Sequence, residues 1–290
     1  MSKTLVTGGG GFIGGALAAQ LNAFAWTHAH GDLRDPNNCE AACRGMEVVY
    51  HTASVTAGAG VVKADPMHLV SDNLIMFAQM MRAASKAGVK KFIYMSSTTG
   101  YPEALHPVRE YEYHQGQPPD CYWPIGTTKR YMENLAKMYS AKGMTTVAIR
   151  ASNIYGPGDC YDPIRSHVIP ATVRKVAERQ DPITVWGDGE DVRDAIYITD
   201  AVEAIVRCES LNGCYSINLA LGKGYTVSEI LNILLNLEGY KPAIICDTTK
   251  PSLLKSRLVA ADYAENLLGW RATTSMEEGL AKTLAWYHGR

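Results

Sequence analysis

The sequence predicts an α/β protein: a doubly wound parallel sheet with a smaller, discontinuous C-terminal lobe. Three observations carry that reading. Through the first half of the chain, short apolar runs alternate with stretches of helical period, as in successive β-α-β units. The first apolar run leads directly into Gly8-Gly9-Gly10-Gly11-Phe12-Ile13-Gly14, so strand, glycine turn and helix follow one another at the start of the chain. Beyond residue 155 the elements shorten, and Pro and Gly become more frequent.

Strands are expected at residues 4–6, 47–51, 91–96 and 145–150, with helices over Phe12–Leu21, Pro36–Cys43, Met67–Ala87 and residues 127–142. Asp35 before Pro36 is a good N-cap and first-turn pair. Thr226 with Glu229, and Ser275 with Glu278, have capping-box spacing. Residues 21–31 compress the usual second strand and its loop into a short stretch.

Composition narrows the function classes. The chain has 290 residues, 47% of them hydrophobic, enough for a large packed core. Its net charge of −1 gives no basic excess, so neither nucleic acid nor an anionic membrane surface is an expected partner. The apolar run after Met1-Ser2-Lys3 is too short for a signal peptide, and no stretch is long and apolar enough to span a bilayer, so the cytoplasm is the expected location. The seven cysteines fit reduced thiols; Cys39 and Cys43 read as small buried apolar groups, and no metal site is expected.

The glycine turn carries the first chemistry. Gly8 permits a tight turn, Gly11 lets the backbone approach a pyrophosphate, and Gly14 lets the helix pack close to the sheet. The phosphate charge would meet the N-terminus of the helix that opens at Phe12. This is the sequence context of a dinucleotide site, lined by Gly8, Gly10, Gly11, Phe12 and Ile13.

Further motifs follow: Gly31-Asp32-Leu33-Arg34-Asp35, Tyr50-His51-Thr52-Ala53-Ser54, Asp72-Asn73-Leu74 and Met95-Ser96-Ser97-Thr98-Thr99-Gly100-Tyr101-Pro102. Later come Arg150-Ala151-Ser152-Asn153-Ile154-Tyr155-Gly156-Pro157-Gly158, Ser166-His167-Val168-Ile169-Pro170, Val185-Trp186-Gly187-Asp188-Gly189 and Arg193-Asp194-Ala195-Ile196-Tyr197, then Lys250-Pro251 and Arg257. Across nearly its whole length the chain resembles the extended short-chain dehydrogenase/reductase family, the NAD-dependent epimerase/dehydratases. Within it the wording is similar to the sugar-nucleotide branch, GDP-fucose synthases above all.

The resemblance implies a Rossmann sheet over residues 1–155. It also implies a mainly substrate-binding lobe over residues 156–290, with the chain crossing back around 191–220. Asp32 and Leu33 would hold the adenine; Thr52, Ala53, Ser54, Asn73, Ser96, Lys129 and Ser152 would complete the cofactor site. Ser97 would be the catalytic hydroxyl, and Lys129, placed by the nicotinamide ribose, would be catalytic too, lowering the pKa of the family's tyrosine. Asn153, His167, Val168, Trp186, Arg193 and Arg257 would face the sugar nucleotide, the arginines meeting its diphosphate in paired contacts. The helices over residues 67–87 and 127–142 would form a four-helix homodimer interface through Leu69, Leu74, Phe77, Met80, Met81, Tyr131, Leu135 and Met138. Burial of those residues against the sheet is the alternative. NAD is the expected cofactor, with NADP open, because neither an acid nor an arginine cluster follows the second strand at Thr27-His28. A GDP-sugar is the favoured substrate class.

The sequence departs from the family at three places. The family's chemistry needs a tyrosine four residues before Lys129, and Ile125 stands there. Either another group supplies the proton (Tyr122, Tyr101, Thr98, Thr99 or His167), or Ser97 and water relay it, or the chain is a non-catalytic binder or a substituted variant. The cysteine with which GDP-fucose synthases invert carbons is matched by Thr99, too weak an acid, so double epimerisation is not expected. Val259-Ala260 replaces an acidic position after Arg257, which should loosen that arginine. The reading is hydride transfer at a sugar carbon, C4, as a 4-dehydrogenase, 4-epimerase or 4-ketoreductase.

Overall fold

The computed structural model describes residues 3–56, 58, 65–250 and 254–290; Pro251 of the late motif lies outside them. In chain order the strands of the first half are β1 (Thr4–Thr7), β2 (Phe24–Trp26), β3 (Val48–His51), β4 (Lys91–Met95) and β5 (Thr145–Ala151). Those of the second half are β6 (Asn153–Tyr155), β7 (Ile183–Trp186), β8 (Val192–Tyr197), β9 (Cys214–Leu219), β10 (Gly224–Thr226), β11 (Ile244–Asp247) and β12 (Ser256–Arg257). One sheet has the order β2-β1-β3-β4-β5-β9, every neighbouring pair parallel. Leu5, Val6, Val49 and Tyr50 are fully buried, as expected of strands covered by helices on both faces.

The chain leaves β1 toward β2 on one side and returns to β3 on the other. The carboxyl ends of β1 and β3 therefore flank the switch point of the sheet, where open α/β sheets bind their ligands. The compressed second unit survives as the three-residue strand β2 at the sheet edge, followed by a short turn at His28–His30.

Helices α1 (Phe12–Leu21), α2 (Pro36–Cys43) and α3 (Met67–Ala87) fall where the periodicity predicts them, and the Asp35 carboxylate accepts the Asn37 N–H at 2.8 Å. Helix α4 corrects the expected 127–142: it runs Trp123–Ser140. Pro124 causes the difference. It suits the first turn of a helix, where its missing N–H has no partner to lose. Ile125 thereby joins the first turn, and Lys129 follows one turn later on the same face.

Helices α3 and α4 pack together over the sheet. Leu69, Phe77, Met80 and Met81 are buried within the chain, while Tyr131 and Met138 are 55% and 63% exposed. The first four are therefore core residues rather than partner-facing ones. In the second half, β8 pairs in parallel with β6 and β12 and antiparallel with β10; β7 pairs with β11. Helices α5 (Val168–Ala177), α6 (Ile198–Arg207), α7 (Val227–Glu238), α8 (Asp262–Leu268) and α9 (Met276–His288) complete the described set. Helix α6 returns to pack on α1, and β9 on β5. The Thr226–Glu229 capping box forms in both directions, at 3.0 and 2.7 Å. Cys39 and Cys43 are buried, and burial pushes both thiols up to about 12. Among the described residues no helix is long and apolar enough to cross a membrane.

Candidate active site

The glycine turn closes on the end of β3. Gly8 has φ +69°, and a Cβ there would lie 2.7 Å from the Ala53 nitrogen. A Cβ on Gly14 would lie 2.2 Å from the Gly8 carbonyl and 2.5 Å from Thr52 Oγ1. Neither position has room for a side chain. The Thr52 hydroxyl donates to the Thr7 carbonyl at 2.6 Å, and Thr7 Oγ1 lies 2.8 Å from His51 Nδ1, tying the two strand ends together. Gly11 is the N-cap of α1 and brings no side chain to its first turn. Gly10, Phe12 and Ile13 complete the turn into α1; the first amides of a helix have no intrahelical partner, and such a terminus suits a pyrophosphate.

Around this cradle, several expected contacts are made by backbone or through neighbours. Arg34 donates to both oxygens of Asp32 and, at 3.1 Å, to Asp72, and this pairing holds the Asp32 carboxyl below its ordinary range. Leu33 is 4% exposed and belongs to the core. Asn73 accepts from Ser54 Oγ and the Val55 N–H, and donates to the Val55 and Leu69 carbonyls. With all of those groups engaged, Asn73 shapes the wall after β3 rather than reaching into the crevice. Ser96 is likewise turned away: its buried hydroxyl donates to Glu133. The Ser152 N–H donates to the Leu219 carbonyl at 2.8 Å, and Asn153 Nδ2 donates to the Asp194 carbonyl at 3.2 Å.

Ser97 caps a short turn at the end of β4, where its Oγ accepts from the Thr99 N–H at 3.1 Å and the Thr99 hydroxyl at 2.9 Å. A hydroxyl has one proton and two acceptor sites. With both acceptor sites engaged, Ser97 is left as a donor. The first turn of α4 presses on this corner: a Cβ on Gly126 would lie 2.4 Å from the Thr99 carbonyl. Lys129 Nζ donates to the Met95 carbonyl at 3.0 Å, and burial lowers its ammonium to about 8. Burial, with the Lys129 charge adding to it, lowers His51 to about 3.

Behind the corner lies a polar network that sequence reasoning missed. Arg150 and Glu133 form a buried pair at 2.6 Å; Ser216 adds a hydrogen bond to Glu133 at 2.9 Å, and the Arg150 guanidinium stacks 3.5 Å from the Tyr113 ring centroid. Tyr113 donates to the Ser97 carbonyl at 3.0 Å, fixing the turn from beneath. The spacing Lys129–Glu133, one helical turn, was the available signal. Tyr101 is fully buried, donates to Asn218 at 2.6 Å and accepts from Arg150 at 3.1 Å. It does not face the crevice.

The two later arginines converge on the same corner. Arg193 and Arg257 are register partners on the parallel strands β8 and β12. Arg193 pairs with Asp191 at 3.1 Å. Arg257 donates to the Thr98 carbonyl and sits 5.5 Å from the Tyr122 ring centroid. So Arg257 is held without the acidic neighbour expected after it; Val259, in that region, is buried instead. Its Nη2 is buried with no partner among the described residues, and burial lowers the guanidinium. An arginine in that state favours an incoming anion. Burial likewise raises the Tyr122 phenol. His167 stands at the N-cap position of α5 before Val168 without a side-chain cap, and burial of its imidazole lowers it. Trp186 is 46% exposed at the end of β7, with Lys250 Nζ 6.0 Å from its ring.

Fold and glycine turn together define an α/β protein of the dinucleotide-binding kind. The chain belongs to the NAD dependent epimerase/dehydratase family, whose profile matches residues 4–210. It is 27% identical to the GDP-L-fucose synthase of Azorhizobium caulinodans, over 98% of this chain and 96% of that one. It is 30% identical to the GDP-L-fucose synthase of Sinorhizobium fredii, over 75% and 71%. The fold matches a GDP-6-OMe-4-keto-L-xylo-heptose reductase from C. jejuni with a TM-score of 0.90 at 21% identity, covering 99% and 98% of the two chains.

Proposed function

We propose that this protein is an NAD-dependent oxidoreductase or epimerase of sugar nucleotides, with a GDP-sugar as the substrate class and C4 as the reacting carbon. The observation that carries the reading is the placement of Arg193 and Arg257 side by side, with Arg257 fastened to the carbonyl of Thr98, next to Ser97. A diphosphate held by that clamp puts its sugar at the end of β4. When bound, the nicotinamide gives or takes the hydride. Residues 1–155 hold the cofactor: the glycine cradle takes the pyrophosphate, and Asp32, Leu33, Thr52, Ala53, Ser54 and Ser152 line its path. Lys129 faces the ribose. Ser97 donates to the sugar oxygen. Asn153, His167, Val168 and Trp186 line the substrate side, Trp186 offering a face for the base.

NAD fits better than NADP because the nearby arginine, Arg34, already pairs with Asp32 and Asp72. The exposed Tyr131 and Met138, on the outer face of α4, suit a homodimer. Free cysteines suit a reducing, cytoplasmic setting. Calorimetry with GDP-, UDP-, dTDP- and CDP-sugars, with and without NAD, tests the reading. A GDP-sugar should bind, and bind more tightly beside NAD; failure of every sugar nucleotide to bind overturns it. Ile125 favours a second reading, a binder that holds both ligands and transfers no hydride.

A further inference from the structure

We propose that Lys129 is itself the proton donor and acceptor for the sugar oxygen, its Nζ replacing the phenol that Ile125 displaces. This rests on the sugar-nucleotide reading above and adds the group that moves the proton.

Elimination narrows the choice. Tyr101 and Tyr113 are fully buried and donate to Asn218 and to the Ser97 carbonyl, both away from the crevice. Thr99 donates to Ser97. Tyr122 lies against Arg257, at the clamp. His167 sits at the N-cap position of α5, a helix that follows β6 rather than β4, and makes no side-chain cap there. Ser97 is poised to hold an oxygen, but an alcohol needs a further group to restore its proton.

Lys129 meets the requirement. It lies one turn after Ile125 on the same face of α4, so it follows directly behind the missing phenol. Of its three donors, one goes to the Met95 carbonyl, two residues before Ser97. Its charged and titratable surroundings are few. On its own helix there is Glu133; from β3 comes His51, kept neutral by burial. Glu133 already accepts two hydrogen bonds from Arg150 of β5, one from Ser96 of β4 and one from Ser216 of β9. The lysine is therefore a half-buried cation whose nearest acid is committed elsewhere. Burial brings its ammonium to about 8, close to the optimum for proton exchange near neutral pH.

In the reducing direction, hydride bonds to the carbonyl carbon, the C=O π pair moves onto oxygen, and that oxygen takes a proton from Nζ. The neutral amine regains a proton from water. Oxidation runs the same transfers in reverse.

The test uses the full chain, as wild type, Lys129→Arg, Ile125→Tyr and the double variant. Reduction of a keto-sugar nucleotide is followed from pH 6 to 10, with dinucleotide affinity measured in parallel. Reduction needs the ammonium, so the wild-type rate falls as pH rises through about 8, and oxidation rises through the same point. Lys129→Arg keeps its charge and binds dinucleotide within a few-fold of wild type, but loses about 10²–10⁴ in rate. Adding Ile125→Tyr to Lys129→Arg restores most of that rate. Wild-type turnover that survives Lys129→Arg, or that shows no inflection between pH 7 and 9, overturns this inference alone. No turnover in either wild type or Ile125→Tyr overturns the functional reading, and this inference with it.

Discussion

The glycine turn and the Ser97–Lys129 corner lie at neighbouring strand ends, yet they are specified in opposite ways. The cradle is fixed by steric exclusion: Cβ atoms on Gly8 or Gly14 would meet backbone at 2.7 and 2.2 Å. Only glycine satisfies that geometry, so the sequence must display it. The corner is fixed by chemistry. Ile125 fills a helical position as readily as tyrosine would, and it sits in the first turn of α4. A proton needs only a group of suitable acidity within reach. A site held by backbone therefore keeps its residues, while proton delivery can pass to a neighbour.

Two substitutions break or sharpen that contrast. The larger effect is expected at the cradle. Gly11→Val puts bulk where the pyrophosphate approaches, and a Cβ there already lies 3.2 Å from the Gly8 carbonyl. Calorimetry should detect no dinucleotide binding, while circular dichroism shows the fold retained. Unchanged affinity would remove the cradle from the account. The smaller effect is expected at the clamp. Arg257→Met should weaken sugar-nucleotide binding by about 10- to 150-fold, the range for a charge-assisted hydrogen bond, and leave dinucleotide affinity alone. An equal loss for both ligands would show that Arg257 supports the corner as a whole, through the Thr98 carbonyl, rather than the substrate.

The same contrast explains what the sequence made legible. Four strands, the first three helices and the glycine turn follow from local periodicity and sterics and form where expected, the strands within a residue at their ends; β2 and the strands of the second half were not placed. The start of α4 was placed late: the helix begins at Trp123, with Pro124 in its first turn, where a missing N–H costs no hydrogen bond. Sequence motifs flagged Arg193 and Arg257 separately, but their pairing needs β8 and β12 to meet in register, a contact across 64 residues of chain. The Glu133–Arg150 pair was hidden for the same reason: each residue alone looks like a surface charge, and only the packing of α4 against β5 buries them together. Asn73 and Ser96 were assigned to the cofactor, but their side chains hold the walls. A motif marks a position without saying which way the side chain points.

The central claim is that a complete binding apparatus here serves hydride transfer without the usual phenol. The most direct measurement is isotopic. Reduced nicotinamide dinucleotide carrying deuterium at its transferable position is incubated with the wild-type protein and a 4-keto GDP-sugar, and the recovered sugar is read by mass spectrometry and NMR. The account predicts deuterium on the sugar carbon, with wild type and Ile125→Tyr both competent. Both ligands bound, yet no deuterium on the sugar with either protein, would contradict it.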